Sequence, residues 1–319
     1  GQPPLIEGLQ GFSWREVGSF GQARNPQRAV IGAWSHNLQT HGSPYVKPKS
    51  PPIPRLDAQW QESLRFLDHH LMGLRDEALS DKVLFYFTMG EEAWKTTTVW
   101  PPEGVATWRW YLAQDGMLSQ EPPTVESGVD TYTVDFEAGT GKTSRWHTPG
   151  GITPVIYKDR AKMDRRLLTY TSPPLTKDTE ITGHPIVTLY VASTATDGAF
   201  YVYLEDVDET GKVIYVTEGQ LRAVHRQVST ETPPYKMLTP YHSFKKKDAM
   251  LLVPGEVAEL TFGLLPTSVL IEKGHRLRIA IAGHDKDTFA RIPAEGTPEI
   301  SVQRSSVYAS HVDLPMRER

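Results

Sequence analysis

Cysteine is absent from the 319 residues, so no disulfide framework and no thiolate metal site can form. That absence suits the cytosol and a bacterial exterior alike. The cytoplasm is the expected compartment, with secretion left open. No apolar run approaches the ~18 residues that a membrane-spanning helix requires, and no basic stretch followed by an apolar core opens the chain. A membrane partner is therefore not expected. A strong excess of either charge is also missing: 34 Lys and Arg stand against 38 Asp and Glu, a formal net charge of −4. That balance argues against nucleic acid as a partner and says little about small ligands.

Turn formers and rings are plentiful instead. Aromatics make up 10% of the chain, with 25 Gly and 25 Pro, a mixture that points to short strands and a sandwich. The length allows two domains and a sizeable core. Pro44, Pro48, Pro51, Pro52 and Pro54 make residues 37–56 a stiff extended crossing, because each fixes φ and removes a backbone donor. Beyond it, Trp60, Leu64, Leu67, Leu71 and Leu74 recur at spacings of 4, 3, 4 and 3, which predicts an amphipathic helix ending near Gly73 with Asp57 as its N-cap. Its apolar stripe is expected to pack on a sheet. From Val83 onward the period becomes two. Val187, Leu189 and Val191 alternate with Thr188, Tyr190 and Ala192, and the same pattern recurs at Phe200–Glu205 and Arg276–Ile281. Each strand is thereby expected to offer one core face, and Asp208-Glu209-Thr210-Gly211 reads as a hairpin turn. The change of period puts a domain boundary near residues 79–82.

The run Ala29-Val30-Ile31-Gly32-Ala33-Trp34-Ser35-His36 follows a turn-like Asn25-Pro26 and is cut by a glycine, so it reads as a short buried strand with His36 just past its end. In open α/β sheets reacting side chains gather at that edge, and imidazole is the commonest general base near neutrality. A loop histidine satisfied by its neighbours is the bland alternative.

Ile31–His36 resembles the IGPWSH segment of the CocE/NonD family of serine hydrolases, which spans esterases, acylases and X-prolyl dipeptidyl peptidases. Ala33 stands where the family has proline. The resemblance continues through Leu168–Leu175, Glu180–Gly183, Thr217–Ala223, Leu265–Ser268, Gly274–Ile279 and Asp285–Phe289, in the family's order. It implies residues 1–80 as the C-terminal part of an α/β-hydrolase domain and residues 81–319 as a jelly-roll, galactose-binding-like β-sandwich, giving a mainly β chain. It also implies His36 as the triad base and Glu16 as the carboxylate that orients it, although the short gap between them leaves Glu16 equally readable as a solvated loop charge. The implied partner is a small-molecule ester or an amide or peptide substrate, with no cofactor and no metal. A homo-oligomer is left open.

Other motifs lead elsewhere. Gly139-Thr140-Gly141-Lys142-Thr143 invites a phosphate-loop reading, but Phe136 stands where that pattern needs glycine. Asp206–Gly211 is a poor calcium loop because the closing Glu is displaced to Glu218. Lys245-Lys246-Lys247 reads as a solvated loop. The remaining histidines show no ligand spacing.

The strained G-x-S-x-G elbow of a serine hydrolase is missing. Ser19 and Ser35 are poor substitutes, the latter because adjacent side chains on an extended chain diverge. The chain opens at Gly1-Gln2 without methionine, and the resemblance implies that it begins inside a catalytic domain, so it is expected to be a fragment or processed piece or to have lost the upstream half. Its nucleophile would lie in an upstream catalytic segment, and it would be inactive alone. The alternative reading is a non-catalytic β-sandwich module that binds carbohydrate or protein.

Overall fold

A computed structural model describes residues 28–36, 38–76, 83–147 and 154–319. The apolar run forms β1 (Arg28–Ile31), which pairs in parallel with β2 (Val83–Thr88); β3 (Ala93–Thr97) returns antiparallel beside β2. Parallel neighbours need a long crossover, and helix α1 (Leu56–Met72) lies on it. The helix ends as its spacing predicts, at Gly73 with φ 71°, a left-handed cap that glycine adopts without strain. Its start differs from expectation. Arg55 holds the cap position, and Asp57 lies inside the first turn, where a carboxylate favours the positive end of the helix. The apolar stripe is not covered by any described residue. Trp60, Leu64, Leu67, Leu71 and Leu74 are 41 to 75% exposed. The helix is held to the sheet from its polar side, by Arg28 pairing with Glu62 at 2.5 Å.

Thirteen further strands build the sandwich. They are β4 (Ala106–Ala113), β5 (Met117–Ser119), β6 (Val129–Thr133), β7 (Leu168–Thr171), β8 (Thr179–Gly183), β9 (Ile186–Ser193) and β10 (Ala199–Val207). After them come β11 (Val213–Arg222), β12 (Ala258–Gly263), β13 (Thr267–Ile271), β14 (Arg276–Ala282), β15 (Glu299–Gln303) and β16 (His311–Glu318). The hydrogen-bonded order runs β11-β10-β14-β7-β5-β4-β16-β9-β15-β6, with β12 beside β9 and β8 between β13 and β16. Leu189, Val302 and Leu314 from one half of this order pack with Leu204, Ile279 and Leu118 from the other in one core. The Asp208 turn forms as expected: its carboxylate accepts the Thr210 and Lys212 amides at 2.8 and 3.0 Å, and Gly211 takes φ 86°.

One core face per strand does not hold for β10, which is buried along its whole length. Phe200, Val202 and Leu204 enter the main core, while Tyr201 and Tyr203 form a second cluster with Tyr215 on the opposite face. That face is covered by other segments. Tyr157 stacks on Tyr215, the Arg160 guanidinium lies 4.4 Å above the Tyr203 ring, and Phe289 packs on Tyr201. Alternation therefore separates two buried layers, one aliphatic and one of rings and charges.

The two sheets are joined at the end of β2. Met89 donates to the Ser268 carbonyl at 2.9 Å and accepts from the Leu270 amide at 2.8 Å, so the turn between β2 and β3 sits against β13. Below it, the fully buried Glu180 of β8 meets Lys95 of β3 at 2.9 Å and Arg317 of β16 at 2.8 Å, with Arg319 also in contact. Burial alone would push this carboxyl up, but hydrogen bonds from Lys95, Arg319, Thr182 and Arg317 outweigh it and hold the group at about 2.

Candidate active-site hairpin

Beyond β1 the chain makes a tight hairpin. Trp34 bridges His41, Ser35 donates to the Thr40 carbonyl at 2.9 Å, and Gly42 donates to the Ala33 carbonyl at 2.7 Å. His36 is the first residue of its tip. Leu38 closes the tip with φ 60°, a left-handed conformation costly for leucine, and its amide reaches the Ser35 carbonyl at 2.9 Å. The His36 ring is half-buried and makes no hydrogen bond or ion pair with another described residue. A side chain just past the C-terminal end of a parallel strand, on a short braced tip, is well placed to meet a reacting group.

Ser35 has a different task. It is buried, and its Oγ accepts the Thr40 amide at 3.2 Å, bracing the tip. Trp34 supplies the wall: its indole donates to the Ile53 carbonyl at 3.1 Å and packs on Trp94. Gly32 leaves room for that indole, which a Cβ at this position would strike. The proline-rich crossing is anchored from the other side, where the Tyr45 hydroxyl donates to Asp206 at 3.0 Å and Asp206 in turn meets His275 at 2.8 Å. Glu16 and Ser19 lie outside the described residues, as does the expected boundary at 79–82.

A second layer beneath the hairpin has no signature in the sequence. His41 is buried with its Nδ1 accepting the Ser43 amide at 3.1 Å, so the ring proton sits on Nε2, 3.6 Å from Glu92 Oε2. Burial lowers the His41 pKa and the Glu92 charge opposes that fall. Glu92 also accepts the Ser43 hydroxyl at 2.6 Å and the Gly90 amide at 3.0 Å. The Ser43 and Glu92 partners stand 49 positions apart, a pairing no local spacing announces.

The motifs set aside remain set aside among the described residues. Thr140 and Gly141 give their amides to Asp285 and Asp287 at 3.2 and 2.8 Å, so the donors that a phosphate would need are taken by carboxylates. Lys245 and Lys247 both pair with Glu231. Among the described residues, no cluster of three or more His, Asp or Glu side chains is arranged to hold a metal, and no helix is long and apolar enough to cross a membrane.

Comparison with known proteins adds four findings. A candidate serine esterase of Mycobacterium bovis is 48% identical over 289 residues, covering 90% of this chain and 45% of its own length. The cocaine esterase of a Rhodococcus species is 26% identical over 321 residues, covering 92% and 52%. The crystal structure of a CocE/NonD family hydrolase from Staphylococcus aureus superposes with a TM-score of 0.68 at 14% identity, over 94% of this chain and 51% of that one. The chain spans about half the length of the curated relatives it matches. A family model described as the X-Pro dipeptidyl-peptidase C-terminal non-catalytic domain matches residues 79–313, about three quarters of the chain, and the chain belongs to that family.

Proposed function

We propose that this chain supplies the general base, and one wall of the active site, to a serine hydrolase that cleaves ester or amide bonds by acyl transfer, X-Pro dipeptidyl bonds among them. The observation that carries the reading is the His36 ring, presented on a braced tip at the end of a parallel strand with no described partner. In this mechanism His36 takes the proton from a serine hydroxyl as the oxygen attacks the carbonyl. It then returns the proton to the leaving alcohol or amine. The serine is supplied from outside these residues, and Glu16 is the candidate carboxylate that holds the imidazole tautomer. The exposed stripe on α1 supports the same reading, since five large apolar side chains on one helix face call for a cover.

Against the binding-module alternative stands the filled outer face of β10 and β11. Tyr201, Tyr203 and Tyr215, on which a sugar ring would stack, are buried under the chain's own segments. The test is labelling with a fluorophosphonate, on this chain and on a form extended upstream. The extended form is expected to label and to lose the label in His36→Ala, while this chain stays unlabelled. An extended form that ignores the reagent and binds sugar would reverse the assignment.

A further inference from the structure

The candidate base is held by a hairpin, and besides the Trp34 contacts the hairpin meets the turn after β2 through the polar contacts of His41 and Ser43 with Glu92. The turn carrying Glu92 is pinned to β13 by the two Met89 backbone bonds, and Thr88 Oγ1 meets Ser268 Oγ at 2.9 Å. Gly90 fits there because a Cβ would strike the Leu270 carbonyl. Glu92 itself adopts φ 53°, a conformation that costs energy in a residue with a side chain. From this strained position its Oε1 accepts Ser43 and Gly90, while Oε2, buried and without a hydrogen bond, faces only His41 Nε2. His41 in turn bridges Trp34, two residues before His36. We propose that Glu92, acting through His41, is a positioning residue for His36, so that the non-catalytic sandwich fixes the orientation of the base.

Physical cost singles this pair out. Glu92 is half-buried, but its Oε2 is shut off from water without a hydrogen bond, which is costly, and an apolar contact between the same two segments would hold them as firmly. The geometry also fixes direction. Because Ser43 donates to Nδ1, the ring of His41 can only present its N–H to Glu92, which sets the ring plane and with it the strand pair from Ala33 to Gly42. Losing the charge frees that ring and, through the Trp34 bridge, the tip.

This inference rests on reading His36 as the base, but its test is independent of activity. The full chain, labelled with ¹⁵N and ¹³C at histidine, gives ring cross-peaks, and His36→Gln assigns those of His36. Glu92→Gln keeps an acceptor for Ser43 and Gly90 and removes only the charge facing His41. It is expected to displace the His36 cross-peaks while those of His184 and His311, on β-sandwich strands and their edges, stay in place. Ser43→Ala, which removes one of the two donors to Oε1, is expected to displace them in the same direction and serves if Glu92→Gln fails to fold. Unmoved His36 cross-peaks in a folded variant would overturn the inference. If instead the extended form labels with fluorophosphonate equally well as His36→Ala, the base assignment fails and the mechanical coupling stands.

Discussion

Glu205 offers the sharpest test of the second buried layer. Its carboxyl is wholly buried on β10, with Oε1 2.5 Å from Arg160 Nε. Asp164 lies alongside, 3.5 Å from the same nitrogen and 3.2 Å from Arg278. Glu205 Oε2 and Asp164 Oδ1 are both buried without a hydrogen bond as long as both groups are ionised. One proton on Glu205 would satisfy both. Burial pushes Glu205 up to about 8; Arg160 opposes the rise and Asp164 adds to it. The folded chain then holds a proton between the unfolded value of 4.5 and about 8 that the unfolded chain releases. Stability from this group is therefore complete below pH 4.5, falls as pH rises through the window, and is gone above 8. The slope is about 1.4 kcal/mol per pH unit, on the order of 5 kcal/mol across the window. Glu205→Gln mimics the neutral acid, donating to Asp164 and accepting from Arg160. Urea unfolding followed by tryptophan fluorescence should show the two proteins equal near pH 5 and the variant more stable by pH 8. Parallel curves, with the variant weaker throughout, would mean that Glu205 is ionised and simply paired with Arg160.

Three further outcomes are expected. Glu180→Gln removes the anion that three cations share between the sheets, so unfolding free energy at pH 7 should fall by about 3 kcal/mol, and the wild-type chain should lose that same increment as acid titrates Glu180 from 4.5 down through about 2. Gly32→Ala should drive the Trp34 indole from its seat, costing about 1–3 kcal/mol in urea unfolding and displacing the His36 ring cross-peaks. Leu64→Glu with Leu71→Glu should leave the melting temperature of this chain nearly unchanged because both side chains are exposed, whereas in an upstream-extended form they should destabilise if that extension covers the stripe.

Much of this arrangement was legible in the residues because it depends on local rules. The 3.6 period of Trp60 to Leu74 and the left-handed need at Gly73 specify α1, and Asp208 with Gly211 specifies its turn, since each involves neighbours within a few positions. The strand before His36 and the hydrolase family were likewise readable from one contiguous run and several ordered segments. What stayed hidden is pairing across distance. β2 reads as the first strand of the sandwich by its period, but hydrogen-bonds to β1, 55 positions earlier at Arg28 and Val83. Tyr201 and Tyr203 read as a solvent face, because alternation reports that two faces differ and not that both are covered. Glu92, Glu180 and Glu205 look like ordinary surface charges in the sequence. Glu180 and Glu205 are buried, and Glu92 half-buried, only because cations or an imidazole from remote segments arrive beside them, and that compensation is a property of the assembled chain. The same reasoning explains why α1 defeats its sequence expectation: an amphipathic stripe states that a cover is required, and the cover is set by whatever else folds against it.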